Sequence, residues 1–129
     1  MIVVETSALV ALVTAEPGSA RLEEAVARAS RLILPAHCLL EAHIVIAGRF
    51  PPPMLDTMDA LLARLGPDIR AFGAVHAAAA RAAFLRYGKG RHPAGLNFGD
   101  CMSYAVAKAD DLPLLYVGGD FRRTDVIAA

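Results

Sequence analysis

The sequence predicts an α/β fold: a central parallel sheet of four to five short strands with helices on both faces. Three observations predict it. Residues 2–4, 32–34 and 112–117 are short runs dominated by Ile, Val and Leu, as strands buried on both faces are. Longer stretches with helical patterning lie between them. Strand and helix alternate along the chain, which is the pattern of parallel βαβ units. The chain has 129 residues, 56% of them hydrophobic, enough for one sizeable core. It contains no internal repeat and no low-complexity linker, so residues 1–129 read as a single domain.

Taken in order, Ile2-Val3-Val4 is a β-branched strand ended by Glu5, and Thr6-Ser7 are suited to cap the helix that follows over 8–15. Pro17 and Gly18 stop that helix. Residues 19–30 form a second helix whose exposed face carries Arg21, Glu23, Glu24 and Arg28. Leu32-Ile33-Leu34 is the second strand. Residues 35–50 form a long helix with Pro35 in its first turn and only Glu41 and His43 interrupting an apolar middle. Pro51-Pro52-Pro53 separates it from a helix over 54–65. A third strand is expected over 68–72 and an Ala-rich helix over 75–87. Residues 88–95 are loop, with Gly on either side of Lys89. A helix over 96–110, a strand over 112–117 and the Gly118-Gly119 turn come next, with a last short strand expected around 126–127.

Composition excludes several classes. The 13 Lys and Arg balance the 13 Asp and Glu, so there is no global nucleic-acid footprint. Trp is absent and aromatics are 6%, which argues against a stacking platform for single strands. No apolar run approaches the roughly 20 residues of a membrane span. The start lacks a basic n-region, which points to the cytoplasm. The two cysteines, Cys38 and Cys101, are then expected reduced and buried.

Four carboxylates stand in unusual surroundings. Glu5 follows an apolar strand, Glu41 interrupts an apolar helix, Asp100 heads one, and Asp120 follows Leu-Leu-Tyr-Val-Gly-Gly. In an open parallel sheet ligands bind beyond the carboxyl ends of the strands, where Glu5 and Asp120 fall. Carboxylates gathered there repel one another unless a divalent cation offsets them, and oxygen ligands suit Mg²⁺ or Mn²⁺. Each acid also has a plainer reading. Asp120 fits a turn, Asp100 a helix cap, and Glu5 a strand end facing water. Glu41 is the hardest to explain in such a way, since its helix has few other polar positions.

These residues resemble those of the PIN-domain nucleases, specifically the VapC toxins of toxin–antitoxin pairs. The opening Ile2-Val3-Val4-Glu5-Thr6-Ser7-Ala8-Leu9 is similar to the family's first strand, acid and helix. Leu40-Glu41 lies in its second acidic motif. Gly88-Lys89-Gly90-Arg91-His92 through Leu96-Asn97-Phe98-Gly99-Asp100-Cys101 resembles its loop and third acid, and Leu114 to Phe121 with Thr124-Asp125 its closing segment. The resemblance implies a PIN-like three-layer α/β/α sandwich, a Mg²⁺- or Mn²⁺-dependent endoribonuclease, a VapB-type antitoxin and a homodimer. Carried over by position, Glu5, Glu41, Asp100 and Asp120 are catalytic and Glu5, Asp100 and Asp120 are metal ligands. Thr6 and Ser7 support them from behind, with Asp125 nearby. One departure matters: the family's first acid is Asp, and Glu5 is longer by a methylene. That leaves a working site of adjusted geometry, a weakened natural variant, or an introduced substitution. In the weakened case the chain is a PIN-like binding protein.

Other constellations are weaker. His37, Cys38 and His43 match no structural zinc spacing, and the histidines read as helix-surface residues. Cys101 with His92 lacks a basic group fixed beside the thiol. Lys89, Arg91, His92, Arg122 and Arg123 suit either a rim for RNA phosphates or a solvated loop, with Lys89, Arg91 and Arg122 the leading RNA-binding candidates. A phosphoacceptor domain needs paired acids after the first strand and a Lys after the last. This chain has one acid and Gly118-Gly119-Asp120 there.

Overall fold

The structure is a computed structural model that describes residues 1–129. Four strands form one sheet: β1 (Ile2–Val4), β2 (Leu32–Pro35), β3 (Asp68–Arg70) and β4 (Leu114–Leu115). Their order is β3-β2-β1-β4 and every pairing is parallel, with Val3 opposite both Ile33 and Leu114. Six helices complete the chain: α1 (Thr6–Thr14), α2 (Ala20–Arg28), α3 (Ala36–Arg49), α4 (Pro53–Leu65), α5 (Ala74–Tyr87) and α6 (Phe98–Ala109). A single 3-10 turn occupies Phe121–Arg123.

Strand side chains alternate between faces, and both faces are covered. Ile2, Val4, Leu32, Leu34 and Leu115 pack with Leu9, Leu22, Ile46 and Met58 from α1 to α4. Val3, Ile33 and Leu114 turn the other way, onto Ala83, Tyr87, Tyr104 and Val106 from α5 and α6. Two apolar layers on one sheet give the expected α/β/α sandwich. Fully burying an aliphatic side chain of this kind contributes about 1.5–3 kcal/mol, so the sheet is held chiefly by its two faces.

Element ends differ from expectation, and packing explains most differences. The Leu96 side chain is fully buried, but its backbone pairs with Gly88 across the loop, so α6 starts at Phe98. Gly88 is required there, because a Cβ would strike the Phe84 carbonyl and ring. Leu112 and Tyr116 pack on the core from outside the ladder, which shortens β4 to two residues. Residues 126–127 form no strand; one bridge joins Leu114 to Ala128 instead. Pro35 ends β2 and precedes α3. Thr6 and Ser7 are helical, and Glu5 is the residue that caps α1.

The connections decide where a site forms. β2 and β3 extend the sheet on one side of β1, and β4 joins the other side. The direction of winding reverses between β1 and β4, and the crevice at such a reversal is where ligands bind in open parallel sheets. α1 and α3 follow β1 and β2, so they start at this edge. α6 runs back toward the start of β4, so its N-terminus meets them.

Candidate active site

Glu5 is buried, with only 5% of its surface exposed. Its amide extends the ladder, donating to the Leu115 carbonyl at 3.0 Å. Its carboxylate turns back over α1, where Oε2 accepts from the Ser7 amide at 2.8 Å and from the Ser7 hydroxyl. Such a cap satisfies a free helical donor and is worth about 1 kcal/mol. Burial pushes the Glu5 carboxyl up to about 7; the Ser7 hydrogen bonds oppose this, while Asp100 and Glu41 add to it. The Ser7 hydroxyl also accepts from the Val117 amide at 2.9 Å, tying the segment after β1 to the segment after β4.

Asp100 and Asn97 cap α6 reciprocally. Asn97 Oδ1 accepts from the Asp100 amide at 2.9 Å, and Asp100 Oδ2 accepts from the Asn97 amide at 3.1 Å. The cap reading of Asp100 therefore holds, and it leaves Oδ1 of the carboxylate without a part in the cap. Burial raises its carboxyl above the ordinary range, with the charges of Asp120 and Glu41 adding to it. Glu41 is on the second turn of α3, and its Oε2 leans over Gly99. Asp120 is exposed beyond β4, just before the 3-10 turn.

Two cavities divide these groups. Glu5, Ser7 and Glu41 line one of about 290 Å³, together with Glu16, Val45 and Arg49. Asp120 lines another of about 350 Å³ with Pro93, Ala94, Arg122 and Arg123. Asp100 lines neither, but the charges of both Glu41 and Asp120 act on it. Sequence reasoning missed Glu16, Asn97 and Arg49. Asn97 carried a signal, being a strong cap type three residues before an acid.

The donor chemistry fits a hard divalent cation: every candidate ligand is a carboxylate oxygen, and burial raises two of them, with neighbouring acids adding to the shift. The hydroxyl of Thr6, the residue after Glu5, is buried without a hydrogen-bond partner. No three Asp, Glu, His or Cys side chains stand close enough together to form a ready ligand set. The Glu5 carboxylate is engaged by Ser7 instead.

The remaining candidates fall elsewhere. Lys89 is exposed in the loop. Arg91 lies 5.9 Å over the Phe84 ring and donates to the Leu85 carbonyl. Asp125 accepts from the Tyr104 hydroxyl at 2.5 Å and pairs with Lys108 and Arg86, so it fastens the closing segment to α6. His37 is not a surface residue. It is half-buried, 3.0 Å from the Ser103 hydroxyl, and burial lowers its pKa. Both cysteines are free and buried.

A family model described as PIN domain matches residues 2–127. A protein named Ribonuclease VapC from Mycolicibacterium smegmatis is 49% identical over 126 residues, covering 98% of each chain. Ribonuclease VapC30 of Mycobacterium tuberculosis is 46% identical, covering 96% of this chain and 95% of its own. Among solved structures, VapC20 of Mycobacterium tuberculosis, a sarcin–ricin-loop-cleaving toxin, superposes with a TM-score of 0.79 at 19% identity over 100% of this chain and 98% of its own. VapBC2 from Rickettsia felis, bound to a promoter DNA fragment, also gives 0.79, at 17% identity over 100% and 98%.

Proposed function

The chain belongs to the PIN-domain family and is a VapC-type endoribonuclease toxin, and on that premise we propose that Glu5, Glu41, Asp100 and Asp120 are its RNA-cleaving centre. The observation that carries the assignment is electrostatic. Acids from four separate segments act on one another pairwise: Asp100 and Glu41 on Glu5, and Glu41 and Asp120 on Asp100. A fold retains such repulsion when a positive species offsets it.

Glu5, Asp100 and Asp120 would hold Mg²⁺ or Mn²⁺, which when bound supplies charge stabilisation for a phosphodiester and lowers the pKa of water. Glu41 orients the attacking water from α3. Ser7 fixes the Glu5 carboxylate through two hydrogen bonds, and the buried, unpartnered Thr6 hydroxyl would support the site. In the hydrolysis, water oxygen bonds to phosphorus, one P–O ester bond breaks, and the leaving oxygen takes a proton. Lys89, Arg91 and Arg122 contact RNA phosphates. RNA cleavage with and without added Mg²⁺ or Mn²⁺, with Asp100→Asn as control, tests the centre. Loss of at least about a hundredfold in the variant is expected, and equal activity rejects the assignment.

The fold of Glu5 onto Ser7 favours a second reading, in which the longer acid leaves a weakened enzyme that binds its partners. Calorimetric titration with Mn²⁺ separates the two. Binding and cleavage appearing only in Glu5→Asp support the second.

The partner is a VapB-type antitoxin, supported by the toxin–antitoxin assemblies among the structural neighbours. An antitoxin arginine laid against the carboxylates would block the site. Exposed Leu40 and Ile44 on α3 and Val75 on α5 support a homodimer. The single-domain reading rests on a family match across residues 2–127. No helix is long and apolar enough to cross a membrane, and the proposed place of action is the cytoplasm.

A further inference from the structure

We infer that Arg49 grips the RNA backbone on the α3 side of the acids, holding a phosphate next to the one cleaved; this rests on the ribonuclease reading above. Glu41, Val45 and Arg49 fall at i, i+4 and i+8, so they share one face of α3. All three line the cavity of about 290 Å³ that also holds Glu5. Arg49 is the only cation in that lining. Three carboxylates line the same cavity, Glu5, Glu16 and Glu41, and Arg49 stands beyond ion-pair reach of each. It makes no side-chain hydrogen bond either, so its fork of donors is free.

An unengaged guanidinium is suited to a phosphate, which it binds in bidentate fashion. The need for one is local. The chain has no net charge, and its acids repel an RNA backbone, so binding must come from cations placed beside them. Arg122 and Arg123 serve the Asp120 side. Arg49 is the counterpart on the other side, about 12 Å along α3 from Glu41 at 1.5 Å rise per residue. A strand crossing the acids thus meets a cation on each flank. The plainer role, a last-turn charge facing the α3 dipole, does not require the residue to line the cavity.

The test uses full-length protein and a short fluorescein-labelled single-stranded RNA of mixed sequence. Binding is read by anisotropy across a KCl series in an Asp100→Asn background, and cleavage is read in the active background. Arg49→Ala is expected to raise Kd about tenfold and reduce the log Kd against log salt slope by about 0.7. In cleavage, KM rises while kcat stays within about threefold. Arg49→Lys keeps the charge and recovers part of both effects. Unchanged Kd, slope and KM overturn the inference, as does a defect confined to inhibition by the antitoxin. If the active chain cleaves nothing but RNA affinity still depends on Arg49, the grip stands and the catalytic reading falls.

Discussion

The Glu41 carboxylate rests against the backbone of Gly99: a Cβ there would sit 2.9 Å from Oε2. Gly99 is therefore a clearance position that lets an acid from α3 approach Asp100. Gly99→Ala adds helix propensity worth up to about 1 kcal/mol and should leave the melting temperature unchanged or higher. It forces Glu41 to shift by a few tenths of an ångström, and cleavage should fall on the order of tenfold. Paired thermal melts and initial rates check this; unchanged rates would remove Glu41 from the site.

Glu5 makes stability depend on pH in the metal-free protein. Its folded pKa, about 7, lies above the ordinary 4.5. Folding therefore favours the protonated form, and this contribution is complete below pH 4.5 and lost as pH rises through 7. In chelator, stability should decline across that window by on the order of 3 kcal/mol. Glu5→Gln should flatten the decline. Urea unfolding at several pH values measures it.

Ser7→Ala removes a donor to Glu5 and the tie to Val117. Since the Ser7 bonds hold the Glu5 pKa down, the midpoint of that pH dependence should move upward. The lost bonds should cost about 1–2 kcal/mol. A midpoint that stays put would show that the hydroxyl does not engage Glu5 in solution.

The thiols should be inert in the folded state. Burial pushes Cys38 up to about 11 and raises Cys101 as well, so little thiolate exists at neutral pH. Ellman titration of native protein should find neither thiol within minutes, and denatured protein should give both. Rapid native reaction of Cys101 would contradict its burial.

Tyr104→Phe tests the fastening of the closing segment. Asp125 would lose the hydrogen bond that chiefly holds its pKa below the usual carboxylate range. Stability should fall by about 1 kcal/mol at neutral pH. Because the Asp125 pKa is depressed, the lost contribution is one present above pH 3.8 and fading below it, so wild type and variant should converge in acid. Denaturation at neutral and acid pH measures both.

Hydrophobic period located every helix and the parallel sheet in the sequence, because covered faces dictate the pattern. Ends were harder. Leu96 and Leu112 are apolar for packing, and apolarity alone does not say whether a backbone joins a helix or a ladder. Glu5 was passed over as a cap because Thr and Ser are commoner cap types; only the backbone shows its carboxylate reaching Ser7. The four acids were found as residues out of place, each alone among apolar neighbours. Their electrostatic coupling was not readable, since it joins positions as distant as 5 and 100. Arg49 carries no motif of its own, and only its spacing from Glu41 along one helix face could have drawn notice. His37 and Ser103 are 66 residues apart, and no local signal links them.

The placement of β1 between β2 and β4 has a consequence for synthesis. The first strand to leave the ribosome must wait for residues 114–115 before its second edge is filled. Until then the crevice has one wall, and Asp120 has not been delivered. The crevice that holds Glu5 and faces Asp120 is therefore completed only when the last tenth or so of the chain has been made.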